Sequence, residues 1–119
     1  MNKKSVAVIG GGSWGTAIVS ILSSNIDLIW WVRREKQKNQ IISKKRNPRY
    51  LPNCKLNTER INITSNIEDT INNAHLIIIA TPSEFLLDIF EPYKKELKNK
   101  IIISAVKGVI SPYNQTPNE

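Results

Sequence analysis

Ser5-Val-Ala-Val-Ile-Gly-Gly-Gly-Ser-Trp-Gly-Thr-Ala17 changes its period part-way along. Residues 5–9 set Val, Ala and Ile in a short apolar run that stops at three glycines, the pattern of a buried strand ending in a turn. Beyond the turn, Trp14, Ala17, Ile18, Ile21 and Leu22 recur at helical spacing, and Asn25 supplies a stop. The stretch therefore reads strand, glycine turn, helix.

Inside it, Gly10, Gly12 and Gly15 make the pattern G-x-G-x-x-G, directly after the strand and at the opening of the helix. In that context each glycine has a physical task. Gly10 permits the tight turn, Gly12 removes a side chain that would block a pyrophosphate, and Gly15 lets the helix pack closely on the sheet. Backbone N–H groups near Ser13 and Trp14, unpaired within the helix, are then expected to face the phosphates of a dinucleotide, helped by the helix dipole. The expected cofactor is NADP or NAD.

The rest of the chain repeats the alternation. Residues 27–32 read as a second buried strand, 33–45 as a charged helix, 47–57 as a loop holding Pro48 and Pro52, and 60–64 as a third strand. Residues 66–72 fit one or two helical turns, and 74–81 form the clearest strand, ending at Pro82. Ser83 can cap a helix with Leu86, Ile89, Phe90, Tyr93 and Leu97 on one face and Pro92 as a kink or break, and residues 100–104 make a fifth strand. The last residues, 111–119, read as loop. Strands with continuous apolar runs, alternating with helices, predict an α/β domain with a doubly wound (Rossmann) parallel sheet and helices on both faces.

The length of 119 residues fits one domain. A single Cys forms no internal bridge, and the Met1-Asn-Lys-Lys4 start leads straight into the first strand without a signal-peptide core, so the expected setting is cytoplasmic. No apolar run, that at 76–80 included, approaches the length of a transmembrane helix. With 17 Lys and Arg against 10 Asp and Glu, the net charge of +7 suits an anionic partner, although an Ile-, Asn- and Lys-rich composition also reflects coding bias.

At the end of the second strand, where an acidic residue would bind the ribose 2′-hydroxyl of NAD, the sequence has Arg33 and Arg34. Guanidinium groups there suit a 2′-phosphate or stack on adenine, which favours NADPH over NADH; as plain solvated surface they would favour neither. Lys107-Gly108 follows the fifth strand at its carboxyl end, where open α/β sheets bind ligands, and Thr81-Pro82-Ser83 with Phe85 is expected to line the same cleft or to cap and pack the next helix. His75 precedes the fourth strand, hence the wrong end of the sheet, and reads as structural. Cys54 has no second Cys or nearby His, so neither a metal site nor a nucleophile is expected. The basic run Lys44, Lys45, Arg46 and Arg49 with Tyr50 lacks a recognised nucleic-acid module and reads as a solvated loop or one that folds over a dinucleotide.

Taken jointly, Val8-Ile-Gly-Gly-Gly-Ser-Trp-Gly-Thr-Ala17, Trp31-Val-Arg-Arg34, Asn47-Pro-Arg-Tyr-Leu-Pro52, Thr81-Pro-Ser83 and Ser104-Ala-Val-Lys-Gly108 resemble the amino-terminal part of bacterial-type NAD(P)-dependent glycerol-3-phosphate dehydrogenase, over nearly the whole length. The resemblance implies reduction of dihydroxyacetone phosphate to sn-glycerol 3-phosphate, a glycerophospholipid precursor, by hydride from NADPH or NADH. It implies that Ser13, Trp14, Arg33, Arg34 and Tyr50 contact the cofactor and that Lys107 contacts both cofactor and phosphorylated substrate. Family members carry a helical carboxyl-terminal domain with a catalytic Lys, which is expected beyond Glu119. Residues 1–119 are therefore expected to be a truncated dinucleotide-binding domain without a catalytic residue of its own; the oligomeric state stays open, a homodimer at full length being one option. Two other readings stay open: another reductase of the 3-hydroxyacid or ketopantoate type, and a non-catalytic nucleotide-binding module.

Overall fold

The structure, a computed structural model, describes residues 5–81 and 88–105. Val6–Ile9 (β1), Leu28–Trp31 (β2), Ile61–Thr64 (β3), Leu76–Ile79 (β4) and Ile101–Ser104 (β5) form one sheet in the order β3-β2-β1-β4-β5. Every pairing is parallel, and the register sets Val6 beside both Leu28 and Leu76, Leu28 beside Ile61, and Leu76 beside Ile101. Helices bounded within the described residues include Ser13–Leu22 (α1), Glu35–Lys44 (α2), Ile67–Asn73 (α3) and Lys94–Leu97 (α4).

Because strand side chains alternate between faces, each apolar run feeds two cores. Ala7, Ile9, Trp31, Ile77, Ile79 and Ile102 point to one face, where Ile71 of α3, Phe90 and Leu97 of α4 cover them. Val8, Leu28, Trp30 and Ala80 point to the other, beneath Val19 of α1 and Ile41 of α2. At the sheet edge, Ile101 and Ile103 of β5 are 56% and 49% exposed.

Five strands at the expected places in the chain and helices on both faces agree with the doubly wound reading. The boundaries move by one or two residues. The interruption expected at Pro92 takes the form of a 3-10 turn, Glu91–Tyr93, before α4. Proline has no N–H for the helical ladder, and its ring clashes with the preceding turn. Asn66 caps α3 by accepting a hydrogen bond from the Asp69 N–H at 3.0 Å. Pro82, Ser83, Phe85, Leu86, Lys107, Gly108 and the expected loop at 111–119, Glu119 included, lie outside the described residues. No helix of the described residues is long and apolar enough to cross a membrane.

Candidate functional site

The strand order reverses direction at β1, between β2 and β4, and in sheets of this kind ligands bind outside the carboxyl ends of the strands at that point. A cleft of about 460 Å³ opens there. Gly10, Gly11 and Gly12 form its floor after β1; Trp31, Arg33 and Arg34 enter from the end of β2; Thr81 enters from the end of β4; Arg49 and Tyr50 come from the loop after α2.

The three glycines of the motif are held in three different ways. Gly10 has φ +126°, a conformation that side chains rarely adopt, and a Cβ there would lie 2.8 Å from the Ala80 carbonyl oxygen. At Gly15 a Cβ would sit 2.0 Å from the Gly10 carbonyl oxygen, so α1 reaches the turn only because that residue has no side chain. Gly12 is the opposite case, since a Cβ there would meet nothing within 4 Å. Its missing side chain serves the open space above it and not the packing of the protein.

Each carbonyl of the turn is tied down. Trp30 Nε1 donates to Gly10 O at 2.7 Å, Gln37 Nε2 and Asn47 Nδ2 donate to Gly11 O at 2.8 and 2.9 Å, and Thr16 Oγ1 donates to Gly12 O at 2.7 Å. In a trans peptide the C=O of one residue and the N–H of the next point in opposite directions. Fixing these carbonyls therefore fixes the directions of the N–H groups of Gly11, Gly12 and Ser13. The first N–H groups of α1 have no partner within the helix. The turn thus offers oriented donors beside an open volume, the requirement for holding a phosphate.

The walls add charge. Arg33, Arg34, Lys36 and Arg49 line the cleft, and no acidic residue joins them among the described residues. The nearest carboxylate in sequence, Glu35, is engaged elsewhere: it accepts from Lys38 Nζ at 2.8 Å and from the Ser65 hydroxyl. These two partners, Lys38 first, hold its pKa below the ordinary carboxylate value.

The structure therefore brings Gly10, Gly12, Arg33, Arg34 and Tyr50 to one cleft, with Gly15 directly beneath the turn. Ser13 and Trp14 are not brought to its lining. Trp14 is 63% exposed at the first turn of α1. Lys107 lies outside the described residues, as does Glu119. The basic run divides, because Arg49 and Tyr50 line the cleft whereas Lys44, Lys45 and Arg46 do not. His75 is exposed at the amino end of β4, where its backbone bridges Ser5 and Ile101. Cys54 is a free, half-buried thiol, and no group of metal-ligating side chains exists among the described residues.

Sequence reasoning missed Trp30, Gln37 and Asn47, all of which act on the glycine turn from 20 or more residues away. Only Asn47 left a local trace, as the polar residue before Pro48. Lys36 and Gln40, one helical turn apart on α2, were also unmarked, and both line the cleft.

Residues 5–119 match the family model for the N-terminus of NAD-dependent glycerol-3-phosphate dehydrogenase. The chain belongs to the NAD-dependent glycerol-3-phosphate dehydrogenase family. It is 35% identical over 105 residues to glycerol-3-phosphate dehydrogenase [NAD(P)+] of Pseudomonas paraeruginosa, a match that covers 87% of this chain and 31% of the relative. The enzyme of the same name from Ectopseudomonas mendocina is 36% identical over the same length and share. Among solved structures, glycerol-3-phosphate dehydrogenase from Saccharomyces cerevisiae superposes with a TM-score of 0.80 at 24% identity, covering 90% of this chain and 34% of that one. The dehydrogenase from Coxiella burnetii gives 0.77 at 22% identity, with 95% and 35% covered. At these identities the two structures establish the shared fold. The chain spans about a third of the length of the curated relatives it matches.

Proposed function

We propose that residues 1–119 are the dinucleotide-binding part of an NAD(P)H-dependent glycerol-3-phosphate dehydrogenase, which reduces dihydroxyacetone phosphate to sn-glycerol 3-phosphate for glycerophospholipid synthesis in the cytoplasm. The observation that carries this reading is the open space over Gly12, set in a cleft with four cationic side chains at the switch point of the sheet.

The residues present fit the group. The pyrophosphate would lie on the N–H groups that follow Gly10, Gly11 and Gly12, with Ser13 and Trp14 contributing main chain and Gly15 keeping α1 close enough to serve. Arg33 and Arg34 would take the adenosine end, and Tyr50 would close over the cofactor from the loop. Lys107 is assigned to both cofactor and phosphorylated substrate. Bound NADPH or NADH supplies the hydride. The chain's own part is to hold and orient it, and we assign no catalytic residue to the region up to Glu119.

NADPH is the preferred partner in this reading, supported by the diversion of Glu35. An acid that bonded the ribose 2′-hydroxyl would repel a 2′-phosphate, and here the carboxylate is spent on Lys38 and Ser65. Nucleic acid and metal have no place in the proposal.

The test is calorimetric titration of the 119-residue chain with NADPH and NADH, followed by a steady-state assay with dihydroxyacetone phosphate. Weak binding of both, tighter for NADPH, with negligible turnover is expected. Failure of either dinucleotide to bind at millimolar concentration overturns the reading.

A further inference from the structure

Asn47 lies in the loop after α2, outside the glycine motif and outside the cleft lining, yet it is fully buried. Its amide spends both of its hydrogens inside the protein: Nδ2 donates to Gly11 O at 2.9 Å and to Thr16 Oγ1 at 2.9 Å. Its Oδ1 accepts the Arg49 N–H at 3.2 Å, an Asx turn spanning Pro48. One side chain is thus bonded to the glycine turn, to α1 and to the backbone of the residue that enters the cleft beside Tyr50.

We propose that Asn47 is a positioning residue for the dinucleotide cleft, fastening the Arg49–Tyr50 wall to the glycine turn so that the two present themselves as one preformed surface. The proposal rests on the dinucleotide reading of the cleft. Three physical points carry it. A buried amide with every donor used is costly to leave half-paired, so the turn and the loop hold their relation together. With Gln37, Asn47 occupies both acceptor positions of the Gly11 carbonyl, which fixes the direction of the Gly12 N–H. The loop also needs restraint, because Leu51 sits at φ +54°, a left-handed conformation that a bulky side chain adopts only when its surroundings impose it.

The chemistry requires an amide. Asp at this position would set an acceptor against the Gly11 carbonyl oxygen, and Ala or Leu would leave that oxygen and the Arg49 N–H without this partner.

The deciding experiment is a double-mutant cycle on NADPH affinity in the 119-residue chain, with Asn47→Ala, Arg49→Ala and the pair, alongside residue-resolved amide exchange. Asn47→Ala is expected to weaken NADPH about tenfold, and Arg49→Ala about fivefold in the parent but less than about twofold when Asn47 is already Ala. The Arg49 amide is expected to exchange at least about tenfold faster in Asn47→Ala, while the amides of Ile9 and Ile79 in the sheet change less than about twofold. Arg49→Ala effects of equal size in both backgrounds, or an unchanged Arg49 amide, overturn the proposal. If Asn47→Ala does not fold, Thr16→Val weakens the same link from the α1 side and must raise Arg49 exchange in the same direction, or the proposal falls. If the parent chain binds no NADPH, the reading of the cleft fails separately, and amide exchange still decides whether Asn47 holds the loop.

Discussion

Trp30 and Gly10 are joined by a buried hydrogen bond of 2.7 Å, from the indole Nε1 to the first carbonyl of the glycine turn. Trp31, the next residue, points to the opposite face of the sheet, and its Nε1 is buried with no partner among the described residues. Adjacent tryptophans thus stand in opposite hydrogen-bonding states. Trp30→Phe should destabilise the chain by about 1–3 kcal/mol, because it removes a buried donor and leaves Gly10 O without it. Trp31→Phe should cost clearly less, since it also removes an unsatisfied N–H. Urea denaturation of both variants at one pH checks the order, and equal losses would contradict it.

Gly12→Ala and Gly15→Ala should separate binding from folding. At Gly12, with φ −85° and open space where a Cβ would go, Ala should leave stability within about 0.5 kcal/mol while weakening NADPH by about tenfold or more. At Gly15 a Cβ would fall 2.0 Å from the Gly10 carbonyl oxygen, so Ala should destabilise by about 3 kcal/mol or more. Thermal denaturation beside calorimetry reads both effects.

Replacing Arg33 and Arg34 together by Ala should lower NADPH affinity by about a hundredfold, on the order of one decade per charge-assisted contact, and NADH affinity by much less. Matched losses for the two dinucleotides would mean that the arginines act on something they share. Raising the salt concentration should weaken NADPH more than NADH for the same electrostatic reason.

Glu35 gives a pH dependence whose sign is fixed. Its pKa is lowered by the hydrogen bond from Lys38 first and by that from Ser65 second, so the folded chain favours the ionised form more than the unfolded chain does. The associated stabilisation is present above the ordinary carboxylate pKa and is lost as pH falls through the lowered one. Glu35→Gln should therefore show a smaller loss of urea resistance between neutral pH and about pH 3 than the parent chain. The effect is modest, since the carboxylate is exposed to solvent.

Legibility followed the range of the interactions. The alternation of apolar runs and helical spacing specified the sheet because strand and helix periods are written in neighbouring residues. The glycine turn was equally plain, as Gly10, Gly12 and Gly15 each answer a local steric demand. Pro92 announced an interruption but not its form, because a kink and a 3-10 turn differ only in how the next segment packs.

What the sequence determined alone is the topological class, the phosphate-suited turn and the cationic character of the second strand's end, all set by contacts within a few residues. The tertiary structure alone decided that Trp30, Gln37 and Asn47 share the carbonyls of that turn, and that Glu35 meets Ser65. The reason is geometric. A parallel sheet sets the carboxyl end of each strand beside those of its neighbours, so groups separated by 20 to 36 residues meet at one turn, and no local period records which of them will do so.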